Sequence, residues 1–140
     1  MLGLYSKYLI FNGAVVLLAG LLSGFPLWYA IIRKMNPEKI HAWRVSHSVL
    51  ITDGLMILII GIIIPHLIFS DMAAWILVWS LIISGYSFVV THIIGAWRGY
   101  RGLAAKPYGL NTILFGAHII GAFGSLIGIA IVLYGSLKAF

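Results

Sequence analysis

The 140-residue chain is 62% hydrophobic, and its nine Lys and Arg against three Asp and Glu make 9% charged residues where an average soluble domain has roughly 25%. That deficit excludes a water-soluble globular domain, because too few polar side chains remain to cover its surface; the apolar content excludes disorder, and the lack of cysteine excludes a disulfide scaffold, thiolate metal sites and cysteine nucleophiles. A net charge of +6 does not mark a nucleic-acid partner here, because the basic residues sit in short clusters between apolar runs, the pattern of membrane orientation.

Four long stretches nearly free of charge follow in order, over residues 8–32, 45–69, 75–97 and 107–137. Each exceeds the ~20 residues that an apolar helix needs to cross a bilayer. The predicted fold is therefore all-α, an integral membrane four-helix bundle forming one domain over residues 1–140. The first stretch is too long for the apolar core of a signal peptide, and Ser23-Gly24-Phe25-Pro26 lacks a small-x-small cleavage pattern. Arg33, Lys34, Lys39 and Arg44 lie between the first two segments and Arg98, Arg101 and Lys106 between the last two, whereas the turn between the second and third carries only Asp71. The positive-inside rule then places both basic loops in the cytoplasm and both ends of the chain outside, against the weaker pull of Lys7 and Lys138. The expected setting is the inner membrane of a bacterial or archaeal cell. With loops this short, any chemistry is confined to the membrane or its interface.

Glycine is the next signal, with 16 residues that include the GxxxG pairs Gly20/Gly24 and Gly124/Gly128 and the seven-residue series Gly121, Gly128 and Gly135. Small residues let helix backbones approach closely in lipid, so these stripes predict packing seams, within the chain or between copies of it. A bundle this thin also favours a homo-oligomer.

Ionisable groups at membrane depth are costly, and each demands a reason. In the second segment His47, Gly54, Gly61 and Pro65 share one face, and Asp53 lies about 9 Å deeper than His47 at ~1.5 Å per residue. The glycines leave a slot beside the imidazole in which a flat group such as haem, with His47 as axial ligand, could lie; equally, His47 could hydrogen-bond a neighbouring helix while the glycines pack. In the third segment Gly85, His92 and Gly99 form a second stripe, with Ser84, Phe88 and Thr91 alongside. His92 is a candidate second haem ligand, proton donor or interhelical hydrogen bond. His118 shares a face with Asn111 in the fourth segment and reads as structural, while His41 and His66 lie near membrane boundaries and read as interfacial. Arg44, Arg98 and Arg101 are topology determinants that are also placed to pair haem propionates. No HExxH, catalytic serine triad spacing or phosphate-binding glycine loop occurs, so hydrolases, kinases and Walker-type ATPases are not expected.

The run His41-Ala42-Trp43-Arg44-Val45-Ser46-His47-Ser48, followed by Asp53-Gly54-Leu55-Met56, Ile64-Pro65-His66-Leu67 and Asp71, resembles the second-helix region of the styrene oxide isomerases. Gly24 with Leu27-Trp28, Gly85, Arg101-Gly102-Leu103 and Leu137-Lys138 extend the resemblance over most of the chain from about Asn12. A similar His…Gly-x-Met…Pro-His-Leu pattern resembles the hydroxylaminobenzene mutases. The isomerase resemblance implies a small four-helix membrane enzyme, trimeric, with haem b whose ferric iron serves as Lewis acid while an epoxide rearranges to a carbonyl compound. It places the iron ligand on His47, an amide of the open haem face on Asp53, an aspartate on Ser84 and a tyrosine on His92. These departures imply retained haem binding in an altered pocket, with His92 donating a hydrogen bond to the developing alkoxide and Asp53 either orienting it or stabilising cationic character in the transition state. Gly54, Arg44, Arg98 and Arg101 complete the expected cofactor surroundings, and the expected substrate is a small apolar epoxide.

Two other readings stay open: an arylhydroxylamine mutase, and a non-enzymatic or electron-transfer b-type cytochrome in which His47 and either His92 or His118 ligate iron from both sides. High-spin ferric haem favours the isomerases, low-spin haem the cytochrome. The loop assignment makes its own prediction. Ser70→Cys, the sole thiol in the variant, is expected to react with an impermeant maleimide from the outer side only; labelling from the cytoplasmic side alone would overturn the orientation.

Overall fold

In the computed structural model, which describes residues 2–139, five helices build four membrane-length spans. The first span is α1 (Leu2–Leu22) continued by α2 (Gly24–Ile32), the second is α3 (Pro37–Ile63), the third α4 (Asp71–Arg98) and the fourth α5 (Leu110–Ala139). No strand occurs among the described residues. The fold is all-α, and each span is long and apolar enough to cross a bilayer.

Helix ends follow capping chemistry and so depart from the hydrophobic boundaries. Asn36 accepts the Lys39 N–H at 2.8 Å, ahead of Pro37 at the first helical position, so α3 starts eight residues before the apolar run at Val45. Ser70 likewise caps α4 by accepting the Ala73 N–H at 3.3 Å, and Gly99, at φ 79°, ends it in a left-handed conformation that only glycine adopts without strain. The fourth span begins at Leu110, three residues later than the apolar run, because residues 99–109 fold as a loop. Asn111 holds that loop: its Oδ1 accepts from Gly102 N–H, and its Nδ2 donates to the carbonyls of Ala104 and Lys106. The break at Ser23 falls three residues before Pro26, whose missing N–H and ring interrupt a helical ladder.

Glycine determines how the helices meet. A methyl group on Gly13 would lie 2.7 Å from Leu58 N, one on Gly20 2.7 Å from Ile51 N, and one on Gly61 2.9 Å from Ile10 N; one on Gly54 would overlap the Leu17 backbone. The α1 and α3 backbones therefore touch along two reciprocal seven-residue glycine pairs. The slot expected beside His47 is corrected accordingly: Gly54 and Gly61 are filled by α1 and hold no cofactor face. On the other side of the bundle, α5 packs on α4 with Gly121 under Phe88, Gly124 against Ser80 and Ser84, and Gly128 against Leu81. These stripes are seams inside the chain. Between the pairs, Leu9, Val16, Ile57, Leu77 and Leu81 form a dry centre, with α4 contacting α1, α3 and α5.

Replacing Gly54 by Ala is expected to destabilise the detergent-solubilised protein by about 1–3 kcal/mol through forced separation of α1 and α3. Gly116→Ala, where a methyl meets nothing within 4 Å, serves as the control and should leave the melting temperature unchanged or higher.

Candidate cofactor groove and buried cavity

The α1–α3 seam sets the environment of His47. Its Nδ1 lies 2.8 Å from the Gly20 carbonyl oxygen, which also accepts the Ser23 hydroxyl at 2.6 Å. A carbonyl only accepts, so Nδ1 carries the proton and the lone pair of the neutral ring is on Nε2. A methyl on Gly24 would stand 3.0 Å from Cε1 and 3.8 Å from Nε2 of that ring, so the absence of a side chain keeps this edge open. Gly24 lines a shallow groove of about 350 Å³ with Leu21, Phe25 and Trp28. Phe25 and Trp28 are 69% and 63% exposed, so the groove lies on the outer surface of the chain. A histidine whose Nδ1–H is fixed by a carbonyl and whose Nε2 makes no hydrogen bond to a described residue has the tautomer of a metal-ligating imidazole.

A second space, of about 440 Å³, opens between α3, α4, α5 and the loop over residues 99–109. Its mouth, at the end of the bundle with the basic loops, carries Glu38, His41, Tyr100 and Arg101; Val45, Val49 and Leu103 form apolar walls; Phe88, His92 and His118 lie at its inner end. Ser46 and Thr91 also line it, but their hydroxyls donate to backbone carbonyls, Ser46 to His92 O at 2.9 Å and Thr91 to Ser87 O at 2.9 Å. Lys39 Nζ ties α3 to the end of α4 by donating to the carbonyls of Ala96 and Trp97 at 2.7 and 2.6 Å. The mouth is thus braced from both sides.

Ala42, Val45 and Val49 face this cavity, and at roughly 100° per residue His47 points to the opposite side of α3. One chain therefore does not bring His47 together with His92 or His118. Asp53 follows Val49 by one turn and does not line the cavity; it is buried beside Gly85 and Val16, with Oδ2 lacking any hydrogen-bond partner. No hydrogen bond joins Asp53 to His92, which packs on Phe88 and His118. Ser84 is fully buried, and its hydroxyl donates to Gly121 O and shares a 2.6 Å hydrogen bond with Ser125. The position that the resemblance gives to an aspartate is thus occupied here by a hydroxyl engaged in the α4–α5 contact. Arg101 lines the cavity mouth, whereas Arg44 and Arg98 are exposed and line neither space. His41 at the mouth and His118 at the inner end were read as interfacial and structural; helix spacing reveals which face a histidine occupies but not that two helices turn such faces toward one hollow. No cluster of three or more His, Cys, Asp or Glu suited to a metal ion occurs among the described residues.

The sequence matches the styrene oxide isomerase family over residues 5–137, nearly its whole length. The chain belongs to that family. No curated protein and no solved structure matches it significantly. Membership agrees with the four apolar spans.

The place of Ser84 is testable. Ser84→Ala is expected to lower stability by about 1–3 kcal/mol, since Gly121 O and Ser125 lose a buried partner, as read by thermal unfolding in detergent. An unchanged melting temperature would refute the structural assignment.

Proposed function

We propose that this protein is a haem b-dependent isomerase of the membrane that rearranges a small apolar epoxide to a carbonyl compound, with His47 as the axial ligand. Family membership supports the isomerase class, and the observation that carries the cofactor is the His47 ring: Nδ1–H anchored on Gly20 O, Nε2 unpartnered, and Gly24 without a side chain beside it. The flat apolar groove of Leu21, Phe25 and Trp28 suits a macrocycle face. When bound, ferric haem supplies Lewis acidity toward the substrate oxygen.

The remaining work belongs to the chain. Rearrangement breaks one C–O bond of the epoxide, moves a hydride to the adjacent carbon and forms C=O, so no oxidant, reductant or water is consumed. His92 donates an N–H to the oxygen as negative charge develops on it. Val45, Val49, Phe88 and Leu103 keep water away from the electron-poor carbon. Since His47 and the cavity lie on opposite sides of α3, the reading requires a homo-oligomer, a trimer by the family resemblance, in which the groove of one copy faces another. Cytoplasmic basic loops would put the cavity mouth on the inner side.

Bis-histidine ligation within one chain, which an electron-transfer cytochrome needs, finds no support in this arrangement of His47, His92 and His118. His47→Ala is expected to fold in detergent and purify without stoichiometric haem, as read by the Soret band and pyridine haemochrome. His92→Phe should keep haem and lose about 10²-fold or more in epoxide turnover. Haem retained by His47→Ala, or resting low-spin haem with no rearrangement of any epoxide or arylhydroxylamine, would refute the reading.

A further inference from the structure

His92 on α4 and His118 on α5 come together at the inner end of the cavity, ring centroids 5.8 Å apart and planes inclined by 64°. Phe88 touches both, at 6.0 Å from His92 and 5.6 Å from His118. The three rings are locked as a group because Phe88 occupies the space that a side chain on Gly121 would take, 2.8 Å from a methyl placed there. Of the four imidazole nitrogens, only His118 Nδ1 is sealed from solvent without a partner. The other three make no hydrogen bond to any described residue and remain accessible.

That asymmetry assigns the proton on His118. Buried N–H groups without partners are rarer than under-satisfied acceptors, so the lone pair falls on the sealed Nδ1 and the hydrogen on Nε2, the nitrogen left accessible at the cavity. Ser46 and Thr91 already donate to backbone carbonyls. The inner end therefore offers a ligand two imidazole N–H groups and an aromatic face, within apolar walls.

We propose that His118 is a second ligand-binding residue of this cavity, and that His92 and His118 together hold the oxygen of one small, uncharged aryl carbonyl compound, the product class, by donating one N–H each to its two lone pairs. A carbonyl oxygen carries two lone pairs and no hydrogen, which matches two donors, whereas an epoxide oxygen engaged by a Lewis acid keeps one lone pair, for His92 alone; Phe88 provides a face for the aryl ring. A carboxylate or ammonium ligand fits poorly, because the charged side chains stand at the mouth and the inner walls offer a full charge no counter-ion. The ligand class rests on the isomerase reading; the two-donor site rests on the rings themselves and needs no haem.

Acetophenone, an aryl ketone with no epoxide to rearrange, is the probe, and ethylbenzene is its oxygen-free analogue. Infrared difference spectra of acetophenone with the purified full chain in nanodiscs are expected to show the carbonyl band shifted to lower frequency by hydrogen bonding. His118→Phe should reduce that shift and weaken acetophenone binding about three- to tenfold, leaving ethylbenzene binding within twofold, and His92→Phe should do the same. His118→Asn, which restores a donor, should recover part of the shift, and it serves as the test if the Phe variant fails to fold. An unshifted band in wild type, or His118 variants with unaltered band and unaltered acetophenone preference, would overturn the proposal. The same spectra of His47→Ala separate the two readings. A retained shift in haem-free protein supports the two-histidine site whether or not turnover is found, whereas a band returned to its free position would make the site dependent on the cofactor and overturn its independence.

Discussion

Backbone contact between α1 and α3 is the constraint from which the rest of this molecule follows. In lipid, helices gain nothing by hiding apolar side chains from a solvent that is itself apolar, so association depends on close packing and on hydrogen bonds between helices. Gly13 and Gly20 on one helix, with Gly54 and Gly61 on the other, remove the side chains that would hold the axes apart. Only at that separation does the Gly20 carbonyl come within 2.8 Å of His47 Nδ1. The same carbonyl receives Ser23 at the junction of α1 and α2, where the helix changes course ahead of Pro26. The seam thus fixes both the orientation of the imidazole and the turn of chain that brings Gly24 beside it.

A helix is roughly 10–12 Å across with its side chains, and α3 uses that thickness to separate two chemical environments. Its α1 side carries a single fixed imidazole near a groove on the outer surface of the chain; its α4 side forms the wall of a hollow whose polar groups are gathered at two ends. Chemistry that needs both cannot be assembled by one copy. On the proposed reading, such a division leaves the reactive surroundings incomplete until copies associate, which would couple assembly to activity more directly than an interface that merely adds stability.

Fold class was legible because a membrane span is a property of composition and length, both carried by the residues themselves. Helix ends were legible only in part: hydropathy marks where lipid begins, while Asn36, Ser70 and Gly99 mark where the backbone ladder begins and ends, and these differ by several residues. Periodicity placed Gly54 and Gly61 on the His47 face correctly but could not name what that face meets, so a seam with α1 passed for a slot. Ser84 and Asp53 show the same gap. A hydroxyl and a carboxyl at membrane depth carry the same sequence signal whether they reach a ligand, as expected, or close a contact with Gly121 and Ser125 or lie sealed beside Gly85. The joint placement of His92 and His118 was illegible for a further reason, since it depends on Phe88 entering the gap at Gly121, a tertiary fit between helices.

Polarity along the cavity decides what can reside there. Glu38, His41 and Arg101 at the mouth sit where water and headgroups can solvate them, whereas the interior combines Val45, Val49, Phe88 and Leu103 with imidazoles whose ring nitrogens the fold leaves largely unengaged. A molecule entering the inner end exchanges hydration of its own polar group for whatever the two histidines offer. For a carbonyl oxygen arriving from water that exchange is nearly even, because two N–H donors replace two water hydrogen bonds, and burial of the hydrocarbon remainder adds about 25 cal/mol per Å²; from the bilayer the hydrocarbon gains little and the two N–H groups supply the preference. A full charge gains no comparable partner, and its desolvation costs several kcal/mol. Selection for uncharged oxygen compounds is therefore built into the wall composition before any reaction occurs, and it acts on the kind of molecule that already partitions into the bilayer surrounding the protein.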